Sequence, residues 1–147
     1  MTREQHFRSS FIPQLETFAS WQNIPRTQVS KIPLSEFPSF AFDLGRSKYT
    51  SFDMTGRAIA GEQEFTITAY FTYPLRDSEH AYTAHSNIIN LLEQFMNDPV
   101  YIPPAVFPGE TYRIDRCKLI EAKAPIIGTL DTRYIASFTG KYLFTMF

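Results

Sequence analysis

The residues of this 147-residue chain that could do chemistry are three histidines, one cysteine and a scatter of carboxylates. His80 and His85 are five apart, which on a helix sets them about 140° around the axis rather than on one face. They therefore form no ligand pair, and no His-Glu-x-x-His pattern occurs; both are expected at the solvent side or rim of their helix. Cys117 lies between Arg116 and Lys118, neighbours that could lower a thiol pKa and make a nucleophile. Strand alternation sends those two cations to the opposite face, so a buried structural cysteine is the expectation. Asp115, Glu121 and Asp131 near the last strands, and Glu62 and Glu64 before the central one, could pair for acid/base work, but no spacing demands it. Gly56 and Gly61 bracket Arg57-Ala58-Ile59-Ala60 without the Lys-Ser/Thr of a phosphate loop. No catalytic residue, metal ligand set or cofactor site is expected, and the chain reads as non-enzymatic.

Composition narrows the classes further. A formal charge of −1 and a pI near 6.3 argue against coating nucleic acid, which favours a basic excess. Tyr70, Phe71 and Tyr73 could stack bases, yet the basic-glycine-aromatic pattern of sheet-based RNA readers is missing. One cysteine excludes an intrachain disulfide and suits a reducing compartment. The opening Met1-Thr2-Arg3-Glu4-Gln5-His6 has no apolar core of a secretory signal. No run reaches the roughly 18 apolar residues of a membrane span, so a soluble, intracellularly made protein is expected. Aromatics are 16% of the chain, with 14 Phe and 8 Tyr. Either the core is rich in phenylalanine, or some rings lie on surfaces that a partner buries.

The elements that must position these residues can be read from periodicity. Ser9 to Gln22 predicts a first helix, capped by Ser9 or Ser10, with Phe11, Leu15 and Phe18 on one face and Pro13 tolerable only in its first turn. Pro25, Pro33 and Pro38 make residues 23–38 a loop. Phe37 to Gly45 is a short strand ended by Gly45. Arg46 to Ala60 is a hairpin arm or a flexible loop, the arm being favoured. Phe65 to Tyr73 is the central strand, with Phe65, Ile67, Ala69, Phe71 and Tyr73 on one face and Thr66, Thr68, Tyr70 and Thr72 on the other. The second, half-polar face suits a sheet covered by helices on one side only, or covered there by another subunit. Asp77 or Ser78 caps a second helix whose Ala81, Ala84, Ile88, Leu91, Leu92 and Phe95 form a buried stripe, stopped at Pro99. Residues 97–109 hold four prolines and form a stiff apolar loop. Glu110 to Ala122 is a strand with a suspected bulge. A turn at Ala124 to Gly128 leads to a last strand, Thr132 to Phe147, with Tyr134, Ala136, Phe138, Tyr142, Phe144 and Met146 on one face and a bulge or twist point at Gly140.

The predicted fold is thus α+β: one domain over residues 1–147, a mostly antiparallel sheet of four to five strands against two helices, with an extended arm or hairpin. Phe65 to Tyr73, Arg76-Asp77 and the helix to Met96, followed by Asp131-Thr132-Arg133-Tyr134 and Phe138-Thr139-Gly140-Lys141-Tyr142-Leu143-Phe144, carry a likeness over residues 37–147. In this order of elements the chain resembles the tail-terminator and tail-completion proteins of tailed phages. The resemblance implies a non-enzymatic virion subunit, assembled in the host cytoplasm into a ring, typically of six copies. Such a ring caps the tail tube and joins it to the head-side connector. Its partners would be further copies of itself, the tube protein and the connector, with DNA only passing through the lumen and no membrane. Ring subunits present two different surfaces to their neighbours, and Tyr49, Phe52 and Met54 in the arm with Tyr101, Ile102 and Phe107 in the loop are the candidate interface residues. The alternatives are another neck, minor capsid or tail-tube component, or a small ligand-binding domain or enzyme with a site between sheet and loop 97–109.

Overall fold

The computed structural model describes residues 2–24, 39–72, 78–98, 100–103, 109–127 and 133–147. Residues 25–38 of the expected 23–38 loop, Tyr73, the Asp77 cap, Phe107, Gly128 and Asp131 lie outside the described residues, and within the expected 124–128 turn Ile126–Ile127 form a short strand. Helix α1 spans Arg3–Ala19, and strands β1 (Gln22–Asn23), β2 (Ser39–Phe52) and β3 (Ala58–Thr72) follow. Then come helix α2 (Ser78–Met96) and strands β4 (Tyr112–Ala122), β5 (Ile126–Ile127) and β6 (Arg133–Met146). The strands form one six-stranded sheet in the order β1-β2-β3-β6-β4, with β5 also pairing β6. All pairs are antiparallel except β1 with β2. The fold is α+β as predicted, with six strands instead of four or five because β1 and β5 are two-residue strands too short to carry a periodic signal.

Helix α1 begins six residues earlier than its sequence signal suggests. Thr2 and Gln5 form a capping box: the Gln5 amide donates to Thr2 Oγ1 at 3.2 Å and the Thr2 amide donates to Gln5 Oε1 at 2.8 Å, which satisfies two orphan donors. Pro13 therefore lies inside the helix, not in its first turn. It is tolerated because Pro13 and Ser9 are both exposed, so the Ser9 carbonyl that loses its N–H donor faces water. Phe7, Phe11 and Leu15 are fully buried on the sheet. Trp21 packs on Phe40, while Arg3 stacks over Phe144 at 3.5 Å from the ring centroid. The helix thus runs from the Phe144 row of the sheet toward the Phe40 row.

Period-two alternation in β3 holds over its described part: Phe65, Ile67, Ala69 and Phe71 are buried beneath the helices. Thr68 and Tyr70 are also buried on the opposite face, where Tyr70 joins Ile24 and Ala41 in a small second cluster. The phenylalanine-rich core is real, as Phe7, Phe11, Phe40, Phe65, Phe95, Phe138 and Phe144 are each no more than 1% exposed. In β4, burial falls on Tyr112, Ile114 and Cys117, a three-residue step produced by the suspected bulge between Ile114 and Arg116.

Two glycines behave differently from their sequence reading. Gly45 does not end its strand; β2 passes through it with a register shift between Leu44 and Ser47. The buried Gln63 amide donates to the Gly45 carbonyl at 2.8 Å and to the Glu64 carbonyl at 2.9 Å, and it also contacts the Ser47 hydroxyl. This side chain supplies the partners that the broken ladder leaves open. Gly140 does not interrupt the β3–β6 pairing, which runs without a shift from Ala60↔Thr145 to Thr72↔Arg133, while the β4–β6 register shift between Leu119 and Glu121 falls beside it. It sits opposite Phe65, and a Cβ there would lie 2.6 Å from the Phe65 ring. Gly61 opposite Phe144 repeats the device, with 2.6 Å from a built Cβ to that ring. Each glycine is a slot over which a cross-strand ring lies.

Helix α2 buries Ile88, Leu92 and Phe95 as expected, with Ala84 and Leu91 half-buried. His85 is a correction: it is buried at 9% exposure, stacks on Phe138 at 5.5 Å and shares a 2.7 Å hydrogen bond with the Lys123 carbonyl. Its position one after Ala84 and three before Ile88 places it on the apolar stripe, so the ring acts as a core side chain with one polar tether.

Candidate functional site

The strands β2 and β3 run on past the helix layer as an arm that β6 flanks as far as the Ala60↔Thr145 pair, so that the Phe52↔Ala58 pair and the turn beyond it form its free end. Tyr49 still touches the body, edge-on to Phe144 at 5.9 Å in the row Tyr49–Gly61–Phe144. Beyond it the arm closes in a turn built by Asp53. Its Oδ1 accepts from the Thr55 amide at 2.9 Å, the Thr55 hydroxyl at 2.7 Å and the Arg57 amide at 2.9 Å. These bonds hold the Asp53 carboxyl below the usual carboxylate range, the Thr55 hydroxyl contributing most. Arg57 donates to the Phe147 carbonyl at 3.2 Å and the Phe147 amide to the Thr111 carbonyl at 2.8 Å, tying arm, β6 end and β4 start together. The turn is thereby held in shape and tied to the end of β6.

The arm brings three candidate interface residues together. Tyr49 is 47% exposed, Phe52 58% and Met54 fully exposed at the tip. Ile59 and Phe147 are exposed apolar neighbours that the sequence reading did not single out. The loop candidates separate. Tyr101 is 5% exposed and packs among Phe7, Phe11 and Phe95, so it belongs to the core of its own chain, drawn in because the loop doubles back under α2 through the Tyr101 amide to the Phe95 carbonyl. Ile102, next to it, is 72% exposed.

The sheet face away from the helices carries charge in registered rows. Lys48 opposes Glu62, and Lys118 opposes Lys141. Lys141 Nζ reaches Glu62 at 2.6 Å, while Arg46 lies 3.7 Å from Glu64. The Lys141 hydrogen bond, with Lys48 and Lys118 nearby, lowers the Glu62 pKa. Asp115 is held by Arg113 at 2.6 Å and by the Thr145 hydroxyl at 2.5 Å. Of the carboxylates that could have paired for acid/base chemistry, Glu62, Glu64 and Asp115 are thus each engaged by a cation or hydroxyl.

Cys117, Tyr101 and Tyr142 are buried. Burial pushes the Cys117 thiol and the Tyr101 hydroxyl well up, and the Tyr142 hydroxyl up to about 12. A depression of about 370 Å³ lies where a ligand site between sheet and loop would fall, lined by Met96, Asn97, Tyr101, Ile102, Asp115 and Cys117 among others. Its thiol is buried, and its carboxylate is bonded to Arg113 and the Thr145 hydroxyl. Among the described residues, no group of three His, Cys, Asp or Glu could hold a metal ion, and no helix is long and apolar enough to cross a membrane.

No protein-family model and no curated protein matches the chain. Solved structures do. A chain from the virion of a native gene transfer agent particle aligns over 97% of this chain and 90% of its own, at 14% identity and a TM-score of 0.46. A second chain, whose description states no function, aligns over 100% of this chain and 99% of its own, at 14% identity and a TM-score of 0.53. The second likeness concerns the fold alone, and the first is too loose to add to it.

Proposed function

We propose that this chain is a non-enzymatic structural subunit of a phage-type virion, assembling head-to-tail into a closed ring that ends a tail tube and joins it to the head-side connector. The observation that carries the reading is the arm: a shaped hairpin that leaves Tyr49 half exposed at its base and holds Phe52 and Met54 in water at its end. Full burial of a Phe or Met side chain contributes about 1.5–3 kcal/mol, so a neighbour that covers the arm tip would add stability that the arm's own hydrogen bonds do not supply. The α+β element order that resembles tail-terminator proteins supports the same reading. A ring needs two unlike surfaces per subunit, and the arm at one end of the sheet is one of them. On this reading the partners are further copies of the chain, the tail-tube protein and the connector, six copies being the number the resemblance implies. DNA would only pass through the lumen, and the protein would reside in the neck or tail of the virion. Light scattering and negative-stain imaging of purified protein test this: closed rings of one size that cap separately purified tail tubes are expected. A protein that stays monomeric and ignores tubes would overturn it.

A further inference from the structure

We propose that the arm tip of one copy, led by Phe52 and Met54, seats in a shallow apolar groove between α1 and α2 of the next copy; the inference rests on the ring-assembly reading above. The groove has a volume of about 450 Å³ and is lined by Pro13, Gln14, Thr17, Phe18, Phe95 and Val100. Phe18 stacks on Phe95 at 5.4 Å, with Phe18 37% and Val100 42% exposed. Knob and slot are therefore both present on one chain, and both are uncovered among its described residues.

A copy cannot fill its own groove. Arg3 lies over Phe144, in the Tyr49 row where the arm leaves the body, and α1 runs from there toward the Phe40 row. Pro13 to Phe18 is ten to fifteen residues along that helix, about 15–22 Å away. Met54 is five residues out along the arm in the other direction, about 15 Å. Knob and groove are thus separated by more than about 30 Å at opposite ends of the molecule. A knob that fits a slot elsewhere on the same molecule makes a heterologous contact, which closes into a ring or grows into a filament.

Charge agrees with the pairing. Arg46 already lies 3.7 Å from Glu64 and Lys48 opposes Glu62, while Asp53 is spent on its turn, which leaves Arg57 as the cation nearest the tip. The segments that frame the groove, 13–20 and 91–103, hold Glu16, Glu93 and Asp98 and no Lys or Arg, a balance of −3. Arg57 beside the apolar tip would meet an acidic rim, and two acidic rims oppose groove-to-groove contact.

Cysteine cross-linking tests the contact. Cys117 is buried, so it stays out of the exchange under mild oxidation. A mixture of M54C and V100C proteins should give a covalent dimer on a non-reducing gel that neither variant gives alone. The double variant should give a ladder ending at the ring's copy number. On assembly of the unaltered protein, amide exchange in 49–57, 13–18 and 95–98 should slow at least tenfold together. Rings that form with neither cross-link nor this joint protection would overturn the arm-to-groove contact while leaving ring assembly standing. A wild-type protein that stays monomeric would overturn the assembly reading itself, and the contact with it.

Discussion

Replacing Gly140 by alanine probes how the sheet is closed. The new Cβ would stand 2.6 and 2.8 Å from two Phe65 ring carbons and 3.2 Å from the Lys118 carbonyl, about 1 Å inside ordinary carbon contact. Phe65 has nowhere to retreat: it is fully buried, with Phe7 and Phe11 rings 5.1 Å away and Phe42 at 5.4 Å. Overpacking of this kind costs about 1–3 kcal/mol, and loss of glycine's freedom in the unfolded chain offsets about 0.4–1 kcal/mol. A net loss of about 1–2 kcal/mol is expected, a fall in Tm of about 3–6 °C for a chain of this size. Urea titration followed by Trp21 fluorescence, at concentrations below assembly, should show a lower midpoint with an unchanged slope. F65L opens the slot, so G140A should cost less in that background than in the wild type, giving a coupling of about 1 kcal/mol. If G140A is neutral in wild type, or costs the same in both backgrounds, the ring-over-glycine account is wrong.

Other perturbations test the remaining parts. Gln63→Leu keeps the volume of the buried side chain but strands the Gly45 carbonyl at the β2 bulge; a loss of about 1–3 kcal/mol should appear in urea titration. Glu62 has its pKa lowered in the folded chain, chiefly by Lys141. The stability it contributes is therefore present above its ordinary value of 4.5 and is lost as pH falls through the lower folded value. The acid limb of a stability–pH curve should be shallower below that pH in Lys141→Met, and an identical limb would remove the ion pair from the account. The Cys117 thiol, buried with its pKa raised, should react with a disulfide reagent only as fast as the chain unfolds, and prompt modification of folded protein would show an accessible nucleophile.

Much of the body was legible because its periodicity is regular. The alternation from Phe65 to Phe71, the Ile88–Leu92–Phe95 stripe and the Tyr134–Phe144 face each bury the side expected of them. The irregular places were harder, and each has a local cause. Thr2 and Gln5 spell a capping box, but Pro13 pulls the apparent helix start toward itself. Gly45 looks like a strand end and Gly140 like a bulge or twist point, whereas the first lies at a bulge pinned by Gln63 and the second is a slot for Phe65. His85 is polar by type yet sits at core spacing, a signal that could have been read. Tyr101 could not be placed, since a proline-rich loop has no period to say which side chain turns inward. The arm surface was only partly visible: Tyr49, Phe52 and Met54 interrupt polar sequence, but their exposure depends on how far β2 and β3 outrun the helices. The groove between α1 and α2 left no sequence signal, because it is made by two elements far apart in the chain.

The central claim is that the exposed arm exists to join copies of this chain. Its most direct test is the mass of the purified protein measured by light scattering beside that of Met54→Asp, with circular dichroism to follow folding. The account predicts a closed ring of one size for the wild type and a folded monomer for the variant, with at least tenfold more protein needed for assembly. A wild-type monomer at every concentration, or a variant that assembles as readily as the wild type, would contradict it.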